Sequence, residues 1–109
     1  MTDKLFNKLW LDALTQPNKE LYLSEYGYPN WFDEISQEPD EIMDILGNIH
    51  DVAHMSLKDM IKQSDLSQAK FAEKFCIPKR TVENWCSGVN KCPDYTRLMI
   101  ARLLGYLEV

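Results

Sequence analysis

The sequence predicts an all-α protein, and three observations carry that prediction. Apolar residues recur at spacings of three and four along the 109 residues, no stretch alternates apolar and polar residues for long enough to make a strand, and helix starts and stops punctuate the chain. Thr2, Asn18, Asn30, Ser56 and Ser67 are capping starts, Pro39 and Pro78 open helices at a first-turn position, and Gly27, Gly88 and Gly105 are stops. With 45% of its residues hydrophobic, a chain of this length buries one modest core, as a single domain or a small domain with an extension. No apolar run approaches the ~20 residues of a membrane span. The opening Met-Thr-Asp-Lys lacks the basic start and apolar core of a signal peptide, so the expected localisation is cytoplasmic, with no membrane partner.

Taken in order, Thr2 caps a first helix that carries Leu5, Phe6, Leu9, Trp10 and, at the far end of the stripe, Leu14, and Gln16-Pro17 ends it. Asn18 starts a short second helix through Leu21, Tyr22 and Tyr26, stopped by Gly27, and Tyr28-Pro29 makes a turn. Asn30 with Asp33 reads as a capping pair for a short helical turn anchored by Trp31, Phe32 and Ile35. Pro39 fits a first helical position, followed by acidic Asp40 and Glu41 and by Ile42, Ile45, Leu46, Ile49 and Ala53 in helical register. Gly47 weakens that helix by about 1 kcal/mol relative to Ala. Ser56 with Asp59 starts the next helix, placing Leu57, Met60 and Ile61 inward until Ser64-Asp65 breaks it. Asp94 and Tyr95 open a last helix with Leu98, Ala101 and Leu104 on one face, closed by Gly105.

Charge divides the chain. Residues 1–55 hold three lysines against eleven carboxylates, a net −8, whereas residues 56–109 hold nine Lys or Arg against six carboxylates, a net +3. This asymmetry predicts an acidic helical N-terminal extension, residues 1–55, packed on or preceding a basic module, residues 56–109. Cys76, Cys86 and Cys92 are odd in number and form no C-x-x-C pair, so they read as reduced, partly buried small apolar residues. His50 and His54 lie one helical turn apart, as in H-E-x-x-H zinc helices, yet Asp51 stands in the second position and no third ligand follows. They read as surface or boundary histidines, and no metal or cofactor is implied.

The most informative stretch is Leu66 to Pro93. Ser67 caps a helix from Gln68 to Phe75 with Ala69, Ala72 and Phe75 apolar, Pro78 opens a second helix with Val82 and Trp85 on one face, and Gly88 stops it. Two short helices and a tight turn are the build of a helix-turn-helix. The residues Leu66-Ser67-Gln68-Ala69, Ala72, Ile77, Thr81-Val82, Trp85, Gly88 and Pro93 resemble the Cro and lambda-repressor-like (XRE-type) family of phage and bacterial DNA-binding regulators, over about residues 56–105. The chain departs from that pattern at Cys76, where Gly is usual, and at Pro78, where Ser or Thr is commoner.

Steps of about 100° from an inward Val82 put Arg80 and Asn84 outward, with Thr81 and Glu83 on the flanks. Arg donates two bonds to guanine and Asn pairs with adenine, so these types have a route to base readout. The resemblance implies base reading by Lys79, Arg80, Thr81 and Asn84, and phosphate contacts from Ser67, Gln68, Asn90 and Lys91. It further implies double-stranded DNA as partner and a homodimer as the binding form. Polar residues on a surface helix are usually only solvated, and it is the motif that singles these out. Two classes of function follow: a sequence-specific DNA-binding regulator of the kind found in bacteria or mobile elements, reading the major groove with the helix Pro78–Trp85, or a protein-interaction module, an antirepressor or inhibitor, that uses the acidic half with the helix-turn-helix as scaffold. Catalysis has no positive support: the Ser and Cys residues form no triad and no Gly-rich phosphate loop is present.

Overall fold

The computed structural model describes residues 2–26 and 39–107. Among these the chain is all-α, with seven helices and no strand. They are α1 (Asp3–Thr15), α2 (Lys19–Tyr26), α3 (Pro39–Ala53), α4 (Leu57–Gln63), α5 (Gln68–Lys74), α6 (Lys79–Ser87) and α7 (Asp94–Leu103). The expected stop at Gly27, turn at Tyr28-Pro29, capping pair Asn30/Asp33 and anchors Trp31, Phe32 and Ile35 lie outside the described residues. The described residues divide into two units, one formed by 2–26, 39–54 and 107, the other by 55–106.

In the first unit, the Thr2 hydroxyl accepts from the Leu5 N–H at 3.1 Å and the Asn18 carboxamide from the Leu21 N–H at 3.0 Å, so both expected caps form. The apolar face of α1 is Leu5, Phe6, Leu9, Trp10 and Ala13; the stripe turns toward Ala13, and Leu14 is only half-buried. Both α1 and α2 pack on α3, whose Ile42, Leu46, Ile49, Val52 and Ala53 are buried while Ile45 is half-buried. Leu21 is exposed, and α2 buries Tyr22, whose hydroxyl donates to the Leu9 carbonyl at 2.8 Å. Gly47 is buried where the Lys19 chain crosses α3: a Cβ there would sit 3.4 Å from Lys19 Cε, and the Lys19 ammonium goes on to Asp51 at 3.0 Å.

In the second unit, Ser56 and Ser67 cap α4 and α5 by accepting from the Asp59 and Lys70 N–H groups, each at 3.1 Å. The α5 face differs from expectation. Phe71 is fully buried beside Ala72, Phe75 is half-buried against it with ring centroids 4.7 Å apart, and Ala69 points to solvent. A phenyl ring removes several times the area of a methyl from water, worth about 2–3 kcal/mol, so Phe71 decides the helix's rotation. On α7 the buried residues are Arg97, Ile100 and Ala101, with Leu98 and Leu104 half-buried.

Arg97 is the polar member of this core. Its guanidinium donates to the Met55 carbonyl and to the Asp94 carboxylate, each at 2.7 Å, tying α7 to the turn before α4. The Arg97 bond holds the Asp94 carboxyl below the ordinary aspartate value. The end of α7 is a Schellman motif around Gly105 (φ 80°), in which the Tyr106 N–H reaches the Ala101 carbonyl at 2.8 Å and the Gly105 N–H the Arg102 carbonyl at 3.2 Å.

Candidate functional site

The helix pair α5 and α6 is joined by Phe75 to Pro78, and the turn closes with backbone bonds alone. The Ile77 N–H donates to the Ala72 carbonyl at 2.9 Å and the Cys76 N–H to the Glu73 carbonyl at 3.3 Å, the pattern that usually places glycine at the second residue. Cys76 fills that place at φ 54°, in the left-handed region, with its thiol exposed. Among the described residues Asp65, after α4, is the other non-glycine residue in that region, at φ 60°. The departure from glycine at Cys76 is therefore absorbed as backbone strain while the turn keeps its geometry.

Pro78 stands one place earlier than expected. It is the N-cap, α6 runs from Lys79 to Ser87, and Gly88 ends the helix at φ 85°. Proline has no side chain to accept a helix-start N–H, and the first turn of α6 holds no acidic residue. Lys79 and Arg80 stand there, against the positive end of the helix dipole, where carboxylates are the stabilising choice. The start of α6 thus combines uncapped N–H groups with two cationic side chains.

Burial fixes which side of α6 faces out. Val82 is fully buried, Thr81, Asn84, Trp85 and Cys86 are half-buried, and Lys79, Arg80, Glu83 and Ser87 are exposed. At about 100° per residue the four exposed residues fill an arc of about 100°, centred between Glu83 and Ser87. The outward pole is thus turned toward Glu83 from the Arg80/Asn84 pole expected from Val82 alone, leaving Asn84 beside its Arg80 edge and Thr81 on the inward side. Lys79 reaches Glu83 at 3.8 Å in an exposed ion pair, and Arg80 makes no ion pair among the described residues. Glu83 stands on a flank of the face expected from the sequence, where a carboxylate repels phosphate but can accept from cytosine N4, and the sequence does not single out Ser87. The half-burial of Cys86 and Asn84 around Val82 brings both into the exposed arc.

The expected phosphate contacts lie at the ends of the helices. Ser67 is exposed, with its oxygen engaged as the α5 cap, and Gln68 is half-buried in the first turn of that helix. Asn90 and Lys91 are exposed after Gly88, and the Asn90 N–H donates to the Asn84 carbonyl at 3.3 Å, which anchors this loop to α6.

The histidines and cysteines are the remaining groups with chemistry of their own. His50 Nε2 lies 2.7 Å from the Gln16 carbonyl and His54 Nε2 2.7 Å from the Ala13 carbonyl; a carbonyl only accepts, so each ring donates there. The two imidazoles close the last turn of α1, His50 buried and His54 exposed. No cluster of three or more metal-ligating side chains occurs among the described residues. The three cysteines are free thiols, exposed at Cys76, half-buried at Cys86 and buried at Cys92. Burial pushes the Cys86 thiol up, against the opposing Lys58 charge, and pushes Cys92 up to about 11 against Arg97, so both stay protonated and weakly nucleophilic at neutral pH. No helix among the described residues is long and apolar enough to cross a membrane.

No protein-family model, no curated protein and no solved structure matches the chain.

Proposed function

We propose that the protein is a sequence-specific DNA-binding regulator, of the bacterial or mobile-element kind, that presents α6 to the major groove of double-stranded DNA. The observation that supports this reading is the start of α6. An uncapped helix N-terminus carrying exposed Lys79 and Arg80 is unfavourable for the helix by itself and favourable beside a polyanion. Arg80, with no carboxylate partner among the described residues, supplies the planar pair of donors that suits guanine O6 and N7. Val82 anchors the opposite side of the helix in the core, so the reading face is held on a rigid element. Asn90 and Lys91 follow as phosphate contacts, and a homodimer on a two-fold site doubles the small number of base contacts one such module makes.

Selection from a random duplex pool with the full chain, followed by a salt titration, tests the reading. The expected result is a preferred duplex whose log affinity falls linearly with log salt. Arg80→Ala then lowers discrimination at one position, whereas Lys91→Ala weakens all duplexes alike and makes the salt slope shallower by about one. Absence of duplex binding at low salt refutes it.

The second reading, a protein-interaction module, is favoured by the solvated side of α3. Glu41, Asp44 and Asp51 are exposed on it beside Met43. A basic protein ligand held by this face is released by Glu41→Lys with Asp44→Lys, a change that leaves DNA binding through α6 intact or stronger.

A further inference from the structure

Glu83 is the residue that a plain DNA-contacting surface does not explain. It lies near the middle of the exposed arc of α6, between Lys79 on one side and Ser87 and Arg80 on the other. A carboxylate carried toward phosphates is repelled by them, so on a surface that binds only backbone charge its place is the worst available. Helix stability does not account for it either. The Lys79–Glu83 pair runs in the order Lys then Glu, the weaker order for an i,i+4 pair, and at 3.8 Å with both side chains exposed it is loose. What the pair does is offset the Glu83 charge while Arg80, in the same arc, makes no ion pair among the described residues.

We infer that Glu83 is a specificity-determining residue that accepts a hydrogen bond from the N4 amino group of a cytosine in the major groove. The inference rests on the proposed DNA reading and names the sequence class it selects. Cytosine shows a donor in the major groove with no acceptor of its own beside it, whereas adenine sets its N7 acceptor next to its donor, and guanine and thymine show only acceptors toward a carboxylate. A carboxylate therefore distinguishes cytosine from the other three bases. Arg80 and Glu83 are neighbours on the helix surface at a separation of three residues, so they address bases within about one base pair of each other. The preferred duplex contains a guanine for Arg80 and a cytosine for Glu83 in that small window. Lys79, released from Glu83 when the carboxylate takes the cytosine amino group, is free to turn to a phosphate.

The test uses the full chain and its Glu83→Ala and Glu83→Gln variants, whose helix content is first compared by circular dichroism. Each is put through duplex selection and then titrated, at one fixed salt concentration, against the selected duplex and its single-position substitutions. The wild type is expected to favour cytosine at one position by about tenfold, Glu83→Ala to lose that preference, and Glu83→Gln to move it toward adenine, whose N6 and N7 a carboxamide pairs. Unchanged base preferences with uniformly tighter binding in both variants overturn the inference, since Glu83 is then only a repelling charge, and leave the DNA reading standing. No duplex binding by the wild type at low salt brings down that reading and the inference with it.

Discussion

Replacing Cys76 with glycine raises the stability of residues 55–106. Cys76 sits at φ 54° in the turn between α5 and α6, and a residue with a Cβ spends about 1–2 kcal/mol in that region. Glycine removes this cost and returns about 0.4–1 kcal/mol through its greater freedom in the unfolded chain. The thiol is exposed, so its loss forfeits little burial, and the two turn bonds, Ile77 N–H to Ala72 and Cys76 N–H to Glu73, are backbone bonds that survive the change. The net expectation is a gain of about 0.5–1 kcal/mol, or a few degrees in melting temperature. Urea unfolding followed by NMR at the Phe71 and Val82 amides, under reducing conditions, reads it. Cys76→Ala is the control, because alanine keeps the Cβ at the same φ and gains nothing. Equal gains in both variants assign the effect to the thiol, and a less stable glycine variant refutes the backbone argument.

Three further outcomes are expected. Gly47→Ala stabilises the first unit by about 0.5–1 kcal/mol in urea, since the gain in helix propensity is about 1 kcal/mol and the new Cβ meets only the movable Lys19 Cε at 3.4 Å; a loss of stability shows that the Lys19 chain cannot yield. Arg97→Met costs about 2–4 kcal/mol, because the Met55 carbonyl and Asp94 lose a buried donor. It also changes the acid limb: Asp94 is depressed in the folded chain, so its contribution is present above the ordinary carboxyl range and is lost as pH falls through the lowered value, and stability measured from pH 5 downward shows that loss in the wild type and not in the variant. Iodoacetamide at pH 8 modifies exposed Cys76 first and buried Cys92 last, the order read by mass spectrometry of peptides; early labelling of Cys92 contradicts its burial.

What was legible in the sequence is local. Thr2, Asn18, Ser56 and Ser67 each accept from an N–H three residues on, a bond that depends on nothing distant, and the four starts follow directly from residue type. The stop at Gly88 follows in the same way. What was hidden depends on neighbours far along the chain. Spacing alone selected Ala69, Ala72 and Phe75 on α5, whereas the larger Phe71 takes the inward place once α6 is there to receive it. Nothing local on α7 marks Arg97 as buried, and the Met55 carbonyl that accepts from it lies 42 residues away. At the candidate site, Val82 is buried as its spacing implies, but one residue cannot fix a rotation. The half-burial of Cys86, Asn84 and Thr81 sets it, and that turns the exposed arc toward Glu83.

The two left-handed residues that bracket α5 bear on how this chain can change over generations. Asp65 and Cys76 hold conformations that glycine adopts without strain, and in the genetic code both aspartate and cysteine are one nucleotide from glycine. Aspartate tolerates the region better than cysteine, so the two steps are unequal, with the larger gain at Cys76. Natural proteins sit just above the stability they need and lose it with most substitutions. A lineage that alters the exposed arc of α6 at some cost to folding has, within a single nucleotide change beside that helix, a means of recovering it.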